Sequence, residues 1–247
     1  MTIIKAPFNF VPVSDTVFTP DWADQISQDI PFEDGMSGTI ELKITAETPI
    51  FIKTGQRRDQ KDEDNSFSNV NGEYFIPGTS LKGSIRNVLE IMSFGKMDHV
   101  ENKKFTFREG KNKKLYSNSI YETMPKKHLN NEIDLADCLF GYLKEKNSLK
   151  GRIQFSHLFS ENVKHEKEIT LILGSPKASY YPIYIRQEGN KKLKTYNDDG
   201  TTIAGWKRYM VRKEIWEDKT NNKKLDTNLK PIKKDTEFKG KIRFHNL

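Results

Sequence analysis

Ile76-Pro77-Gly78-Thr79-Ser80-Leu81-Lys82-Gly83-Ser84-Ile85-Arg86-Asn87-Val88-Leu89-Glu90 is the stretch on which the reading of this chain turns. Ahead of it the apolar run Tyr74-Phe75-Ile76 stops at Pro77-Gly78, a pair that ends a strand and opens a turn. Thr79 or Ser80 can then cap a helix. Leu81, Ile85, Val88, Leu89 and Met92 recur at three- and four-residue steps and form one apolar helical face. Lys82 and Arg86 fall one turn apart on another face. Backbone N–H groups at a helix start, a glycine that admits a polyanion, and two cations one turn apart suit phosphate. No Gly-x-x-x-x-Gly-Lys-(Ser/Thr) spacing occurs, which excludes a nucleotide-binding P-loop. The alternative is an ordinary strand–turn–helix with Lys82 and Arg86 in solvent.

The same segment resembles the glycine-rich Ile-Pro-Gly-(Ser/Thr)-Ser-Leu-Lys-Gly-x-(Ile/Leu)-Arg motif of the RAMP (repeat-associated mysterious protein) superfamily. These are the crRNA-binding backbone subunits of CRISPR effector complexes, chiefly type III. Further along, Glu132-Ile133-Asp134-Leu135-Ala136-Asp137-Cys138-Leu139-Phe140-Gly141 reads as a short amphipathic helix ending in glycine. Lys150-Gly151-Arg152-Ile153-Gln154-Phe155-Ser156-His157-Leu158-Phe159 follows as an alternating strand. The pair is similar to the family's acidic Leu-Phe-Gly helix and Gly-Arg-(Ile/Val)-x-(Phe/Ile) strand, in the family's order. The likeness covers residues 37–159 well. In the flanks, Phe8-Asn9-Phe10-Val11-Pro12 and Asp21-Trp22-Ala23-Asp24-Gln25 are similar to one subgroup only.

Composition narrows the class independently. The chain has 247 residues, 35% hydrophobic and 30% charged, which suits a globular protein with long polar loops. A formal charge of +7 favours an anionic partner, nucleic acid ahead of membrane. A lysine-rich solubilising surface is the plainer account of the same charge. The single cysteine, Cys138, excludes an intrachain disulfide and fits a reducing cytoplasm. No apolar run reaches membrane-spanning length, and no signal-peptide layout opens the sequence, so no membrane partner and a cytoplasmic location are expected.

Residues 1–36 read as an irregular arm, broken at Pro7, Pro12, Pro20, Pro31 and Gly35, with Phe8, Phe10, Phe18 and Trp22 packing on the main domain. Thr39-Ile40-Glu41-Leu42-Lys43-Ile44-Thr45 alternates as a strand with one buried face. Residues 54–72 form a loop dense in both charge signs, and Asn71-Gly72 marks a hairpin turn. Gly95 is the expected C-terminal cap of the helix over 79–94. Between residues 98 and 131, Lys103-Lys104-Phe105-Thr106-Phe107-Arg108 and Lys111-Asn112-Lys113-Lys114-Leu115-Tyr116 interleave cations with aromatics, a pattern for a strand or finger on RNA or simply for a solvated hairpin. Lys239-Gly240-Lys241-Ile242-Arg243-Phe244 repeats Lys150-Gly151-Arg152-Ile153-Gln154-Phe155. Residues 238–247 therefore either begin a second RAMP-like unit, the chain being half of a longer or split protein, or form a final sheet strand.

The resemblance implies an α+β fold: a ferredoxin-like (RRM-like) RAMP core of βαββαβ type over residues 37–160, with long insertions, the irregular arm, and a basic aromatic extension over 161–237. It implies crRNA, target RNA and other effector subunits, including similar RAMP proteins, as partners. On that model Gly78, Thr79, Ser80, Lys82, Gly83 and Arg86 hold guide phosphates. Lys103, Lys104, Arg108, Lys113, Lys114 and Arg152 add RNA contacts. Some subunits of this type cut target RNA with an aspartate in the loop ahead of the motif and a divalent metal, Mg2+ or Mn2+, the only cofactor implied. Asp64 lies nearest that place and Asp62 next. The match is imperfect: catalytic subunits show Asp-x-Pro-(Val/Ile) followed by Arg-Asp, whereas Asp64-Asn65-Ser66-Phe67 lacks the proline and Arg58-Asp59 precedes it. Two other roles stand beside this one. The chain is a non-catalytic structural or capping subunit, or a histidine-dependent processor of guide precursors drawing on His99, His128, His157, His165 or His245. No His/Cys set has zinc spacing.

Overall fold

The computed structural model describes residues 7–53, 66–97, 105–109, 114–118, 126–129, 132–144, 147–172, 181–187, 189, 193–194, 198, 200–211 and 226–247. In chain order the elements are β1 (Phe8–Val11), β2 (Gly38–Thr45), β3 (Asn69–Val70), β4 (Glu73–Ile76) and helix α1 (Gly78–Met92). Next come β5 (Phe105–Glu109), β6 (Lys114–Asn118), helix α2 (Leu135–Phe140), β7 (Gly141–Lys144), β8 (Asn147–Lys150), β9 (Ile153–Phe155) and β10 (Leu158–Ser160). The remainder is β11 (Ile169–Ile172), the one-turn helix α3 (Tyr181–Tyr184), β12 (Trp206–Tyr209), β13 (Asp226–Leu229) and β14 (Glu237–Phe244). Every strand pairing among them is antiparallel, so the fold is mixed α and β with few helices.

The chain divides into two compact units that are discontinuous in sequence. One comprises Ser27–Arg86, Leu139–Ser175 and Arg212–Leu247, the other Met1–Ile26, Asn87–Cys138 and Pro176–Val211.

The first unit holds a six-stranded sheet in the order β2-β14-β10-β4-β3, with β9 also on β14. β2 runs at one edge and pairs with β14 over its whole length, from Gly38 opposite Phe244 to Thr45 opposite Glu237. The alternation of both strands explains this. Leu42, Ile44 and Phe238 turn to the core, while Glu41, Lys43, Lys239 and Lys241 turn away from it. Lys43 Nζ meets Glu237 Oε1 at 2.6 Å on the outer side. The last residues thus form an internal strand of this sheet. Its neighbour on the other side differs from expectation. The strand read over 150–159 is broken into β9 and β10, because Phe155 faces Ile242 while Phe159 faces Lys239, four steps answering three. That extra residue is a β-bulge at Ser156-His157. Ser156 fills it, accepting the Lys241 N–H on Oγ at 2.9 Å and donating its own N–H to the Lys241 carbonyl at 3.0 Å. The bulge reverses the alternation: Phe155 stacks on Phe140 at the end of α2, whereas Phe159 is 43% exposed on the opposite side.

β3 and β4 close a two-residue hairpin at Asn71 and Gly72, whose φ values of 52° and 85° are those the Asn-Gly pair predicts. The core gathers Phe67, Ile76, Leu158, Ile232 and Phe238, with Leu81 of α1 packed against it. Three strands of this sheet, β2, β3 and β4, precede α1, and between α1 and α2 no described residue joins it.

In the other unit β1 pairs with β12, so part of the arm read as irregular is a strand. Lys207 Nζ sits 3.9 Å from the Phe8 ring centre and donates to Tyr184 Oη at 2.8 Å. Burial pulls its pKa down, but the hydrogen bond and charge of Tyr184, with Tyr209, outweigh burial and raise it. Phe18 and Trp22 of the arm are half to one-third exposed, unlike Phe8 and Phe10. Asp134 caps α2 from a fully buried position, accepting N–H groups of Asp137 at 2.8 Å and Lys96 at 2.7 Å. At the end of α1 the left-handed residue is Phe94, φ 53°, and not Gly95, whose missing side chain instead admits Asp134 Oδ2 and the Glu90 backbone.

Candidate nucleic-acid interface

The start of α1 is set by Pro77, not by Thr79 or Ser80. The Pro77 carbonyl accepts the N–H groups of Ser80 at 3.0 Å and Leu81 at 3.2 Å, which places Thr79 and Ser80 inside the first turn and exposed. Gly78 is buried, and its N–H donates to His157 Nδ1 at 3.0 Å. A Cβ on Gly78 would lie 2.5 Å from the Phe155 carbonyl oxygen and 2.7 Å from that of Ser156. This glycine therefore answers to the bulge behind it. Gly83 is different. It is exposed in the middle of the helix, and among the described residues nothing lies within 4 Å of where its Cβ would stand.

Lys82 and Arg86 are half-buried and reach the end of α2. Lys82 Nζ donates to the Phe140 carbonyl at 3.0 Å, and Arg86 Nη1 to the Gly141 carbonyl at 2.7 Å, with the guanidinium 6.0 Å from the Phe140 ring. They satisfy two carbonyls that a helix end leaves over, on the side where its dipole is negative. Spacing along α1 alone shows that the two cations share a face, but not that α2 ends beneath them. The Lys82 ammonium is held below the usual lysine range, first by burial and then by the Arg86 charge beside it.

The other predicted residues divide. Arg152 donates through Nη1 to the Asn246 carbonyl and, at 2.8 Å, to Asn246 Oδ1, and through Nη2 to the Ser27 carbonyl at 3.0 Å. Its guanidinium also lies 4.8 Å from the Phe32 ring centre, so it ties residues 27–32 to the last strand's end. Arg108 and Lys114 stand in β5 and β6, an antiparallel hairpin in the basic aromatic segment, with Arg108 opposite Leu115 and Glu109 opposite Lys114. Asp62, Asp64, Lys103, Lys104, Lys113 and His99 lie outside the described residues. Among those described, no three His, Cys, Asp or Glu side chains gather as a metal site. His128 is fully buried, accepting the Met97 N–H on Nδ1 at 3.1 Å while Nε2 meets the Ser14 carbonyl at 2.7 Å. His245 Nδ1 meets Ser37 Oγ at 3.0 Å. The contact the sequence reading missed is His157 against Gly78.

Fold and site together define an α+β domain: an antiparallel sheet whose helix starts at one glycine, holds a second within it and carries a pair of cations. The sequence model of the RAMP superfamily matches residues 43–246, and the chain belongs to that superfamily. The match runs from Lys43 in β2 past the end of β14. The family carries a CRISPR-associated, RNA-binding role, with CRISPR RNA and effector subunits as the general class of partner. A search among curated proteins returns no match. No described helix is long and apolar enough to cross a membrane.

Proposed function

We propose that the chain is a crRNA-binding backbone subunit of a type III-like CRISPR effector, with guide phosphates seated along the exposed face of α1 at Thr79, Ser80 and Gly83 beside Lys82 and Arg86. The observation that carries this reading is Gly83. Glycine inside a helix is disfavoured by about 1 kcal/mol relative to alanine, and no described neighbour requires it there. A surface without side chains lets a ribose-phosphate chain come close to the helix. The Lys82 ammonium carries three donors, of which Phe140 takes one. We assign the core to the ferredoxin-like class on the packing of Leu81 and Phe140 against one side of the antiparallel sheet. The proposal is one of binding, and no cleavage step is assigned to Asp62 or Asp64.

Single-stranded RNA titrations with folding measured alongside test it. Gly83→Met should keep or raise thermal stability while weakening RNA binding. Lys82→Gln with Arg86→Gln should make the salt dependence shallower by about 1 log unit per cation removed. RNA affinity unchanged in both variants would refute the assignment.

The Lys82 environment adds a pH signature. Its folded pKa is lowered, so holding it charged costs the fold stability at neutral pH, and that cost disappears as pH rises through the folded value. A phosphate needs the charged form. Across the alkaline window just below the usual lysine range, RNA affinity should fall while the stability of the RNA-free protein gains slightly. Lys82→Arg should flatten the affinity profile; a wild-type profile flat through that window would contradict the proposed contact.

A further inference from the structure

The outer side of the six-stranded sheet carries a row that neither the phosphate proposal nor the core explains. Phe75 of β4 stands opposite Phe159 of β10, Phe159 opposite Lys239 of β14, and Lys239 opposite Lys43 of β2. These residues alternate with Ile76, Leu158 and Phe238, which point into the core, so the row faces away from it. His157 joins the row across the bulge. Its ring centre lies 4.6 Å from that of Phe75 and 6.1 Å from that of Phe159. Phe75 and Phe159 are 5.5 Å apart and tilted by 46°, so their faces are not consumed in stacking on one another. His157 is exposed and Phe159 is 43% exposed, an unfavourable place for aromatic rings that no described residue covers.

The basic end of the row opens into a cavity of about 400 Å3 lined by Lys164, Lys233, Lys234 and Lys239. The turn that presents them is built. The Lys233 N–H donates to the Lys164 carbonyl at 2.8 Å, Thr236 Oγ1 donates to the Lys233 carbonyl at 2.8 Å, and Asp235 takes a left-handed φ of 63°. Of the carboxylates in the cavity, Glu161, Asp235 and Glu237, the last is already paired with Lys43. Exposed rings leading into a fixed group of lysines match two chemistries repeated along one strand, the base and the phosphate.

We propose that this sheet face is a second RNA site, separate from the α1 face, on which bases of single-stranded RNA stack on Phe159 and its neighbours Phe75 and His157 while phosphates pass over Lys239 into the cavity. The assignment rests on the RNA-binding reading of the chain, and it predicts a contact of bases where the α1 face offers only phosphate contacts. His157 links the two, since its Nδ1 accepts the Gly78 N–H at the start of α1.

The test uses the full chain with two probes, a mixed-sequence single-stranded RNA and an abasic ribose-phosphate strand of equal length. Phe159→Ala should lower affinity for the RNA by about 10-fold and leave the abasic strand unaffected. Phe159→Trp should retain affinity, and its added fluorescence, over the wild-type signal, should be quenched by the RNA and not by the abasic strand. Wild-type binding with Phe159→Ala unchanged and Phe159→Trp unquenched overturns the stacking face while sparing the α1 site. Wild type binding neither probe overturns the RNA reading altogether. Loss of self-association in Phe159→Ala by sedimentation, with RNA affinity intact, would make the patch a protein interface and overturn the proposal as well.

Discussion

Phe238→Ala is expected to remove about 4 kcal/mol of folding stability, the range for deleting a fully buried aromatic side chain. Phe238 is 0% exposed and stacks on Phe67, itself 1% exposed, at 6.2 Å. It sits in β14, which is paired on one side with β2 and on the other with β9 and β10. Few residues of the described core are so fully enclosed, so the cavity would open at the meeting point of the two halves of the sheet. Rigid strands on either side limit collapse into the void, which puts the cost toward the upper part of the range. Urea denaturation followed by tryptophan fluorescence measures it. A midpoint shift equivalent to less than about 1 kcal/mol would show that the sheet tolerates the loss by repacking.

Gly78→Val is expected to destabilise by about 3 kcal/mol, through overpacking instead of a void. Its added carbons meet the carbonyl oxygens of Phe155 and Ser156, and these are backbone atoms of the bulge, not ends of flexible side chains. Moving them would break the Ser156–Lys241 hydrogen bonds and the pairing of β9 with β14. The same substitution also disturbs the His157–Gly78 bond. Calorimetry on Gly78→Val beside Gly83→Met separates the two glycines: a large drop in melting temperature for the first and none for the second. Equal drops would mean that Gly83, too, serves packing and would remove the argument for a bare surface on α1.

Much of this arrangement could be read from local pattern. The alternation of Ile40, Leu42 and Ile44 marks β2, Asn71-Gly72 marks the hairpin, and the step from Pro77-Gly78 into Leu81 and Ile85 marks α1. Each is a signal carried by neighbours within one turn or one strand. The features that escaped are non-local. Lys82 and Arg86 have the spacing of a phosphate clamp, yet their partners in the fold are carbonyls more than fifty residues away. Arg152, read as an RNA contact, has Asn246, Ser27 and Phe32 as its partners in the fold. The apolar face of α1 is only partly covered: Leu81 packs on the core, while Ile85 and Val88 are 38% and Met92 73% exposed. Periodicity identifies such a face but not what lies against it. The bulge escaped for a related reason. An added residue changes which side a ring occupies without altering the composition of the strand.

The place of β14 bears on how the protein comes into being. β2 is synthesised about two hundred residues before β14, its one strand partner among the described residues. At about 5–20 residues per second that interval lasts roughly 10–40 s, during which an eight-residue strand has both edges open. Contacts of such long sequence separation also close slowly once available. During synthesis this chain therefore passes through a long-lived, unclosed state, in which the glycine-bearing helix is present before the sheet that supports it.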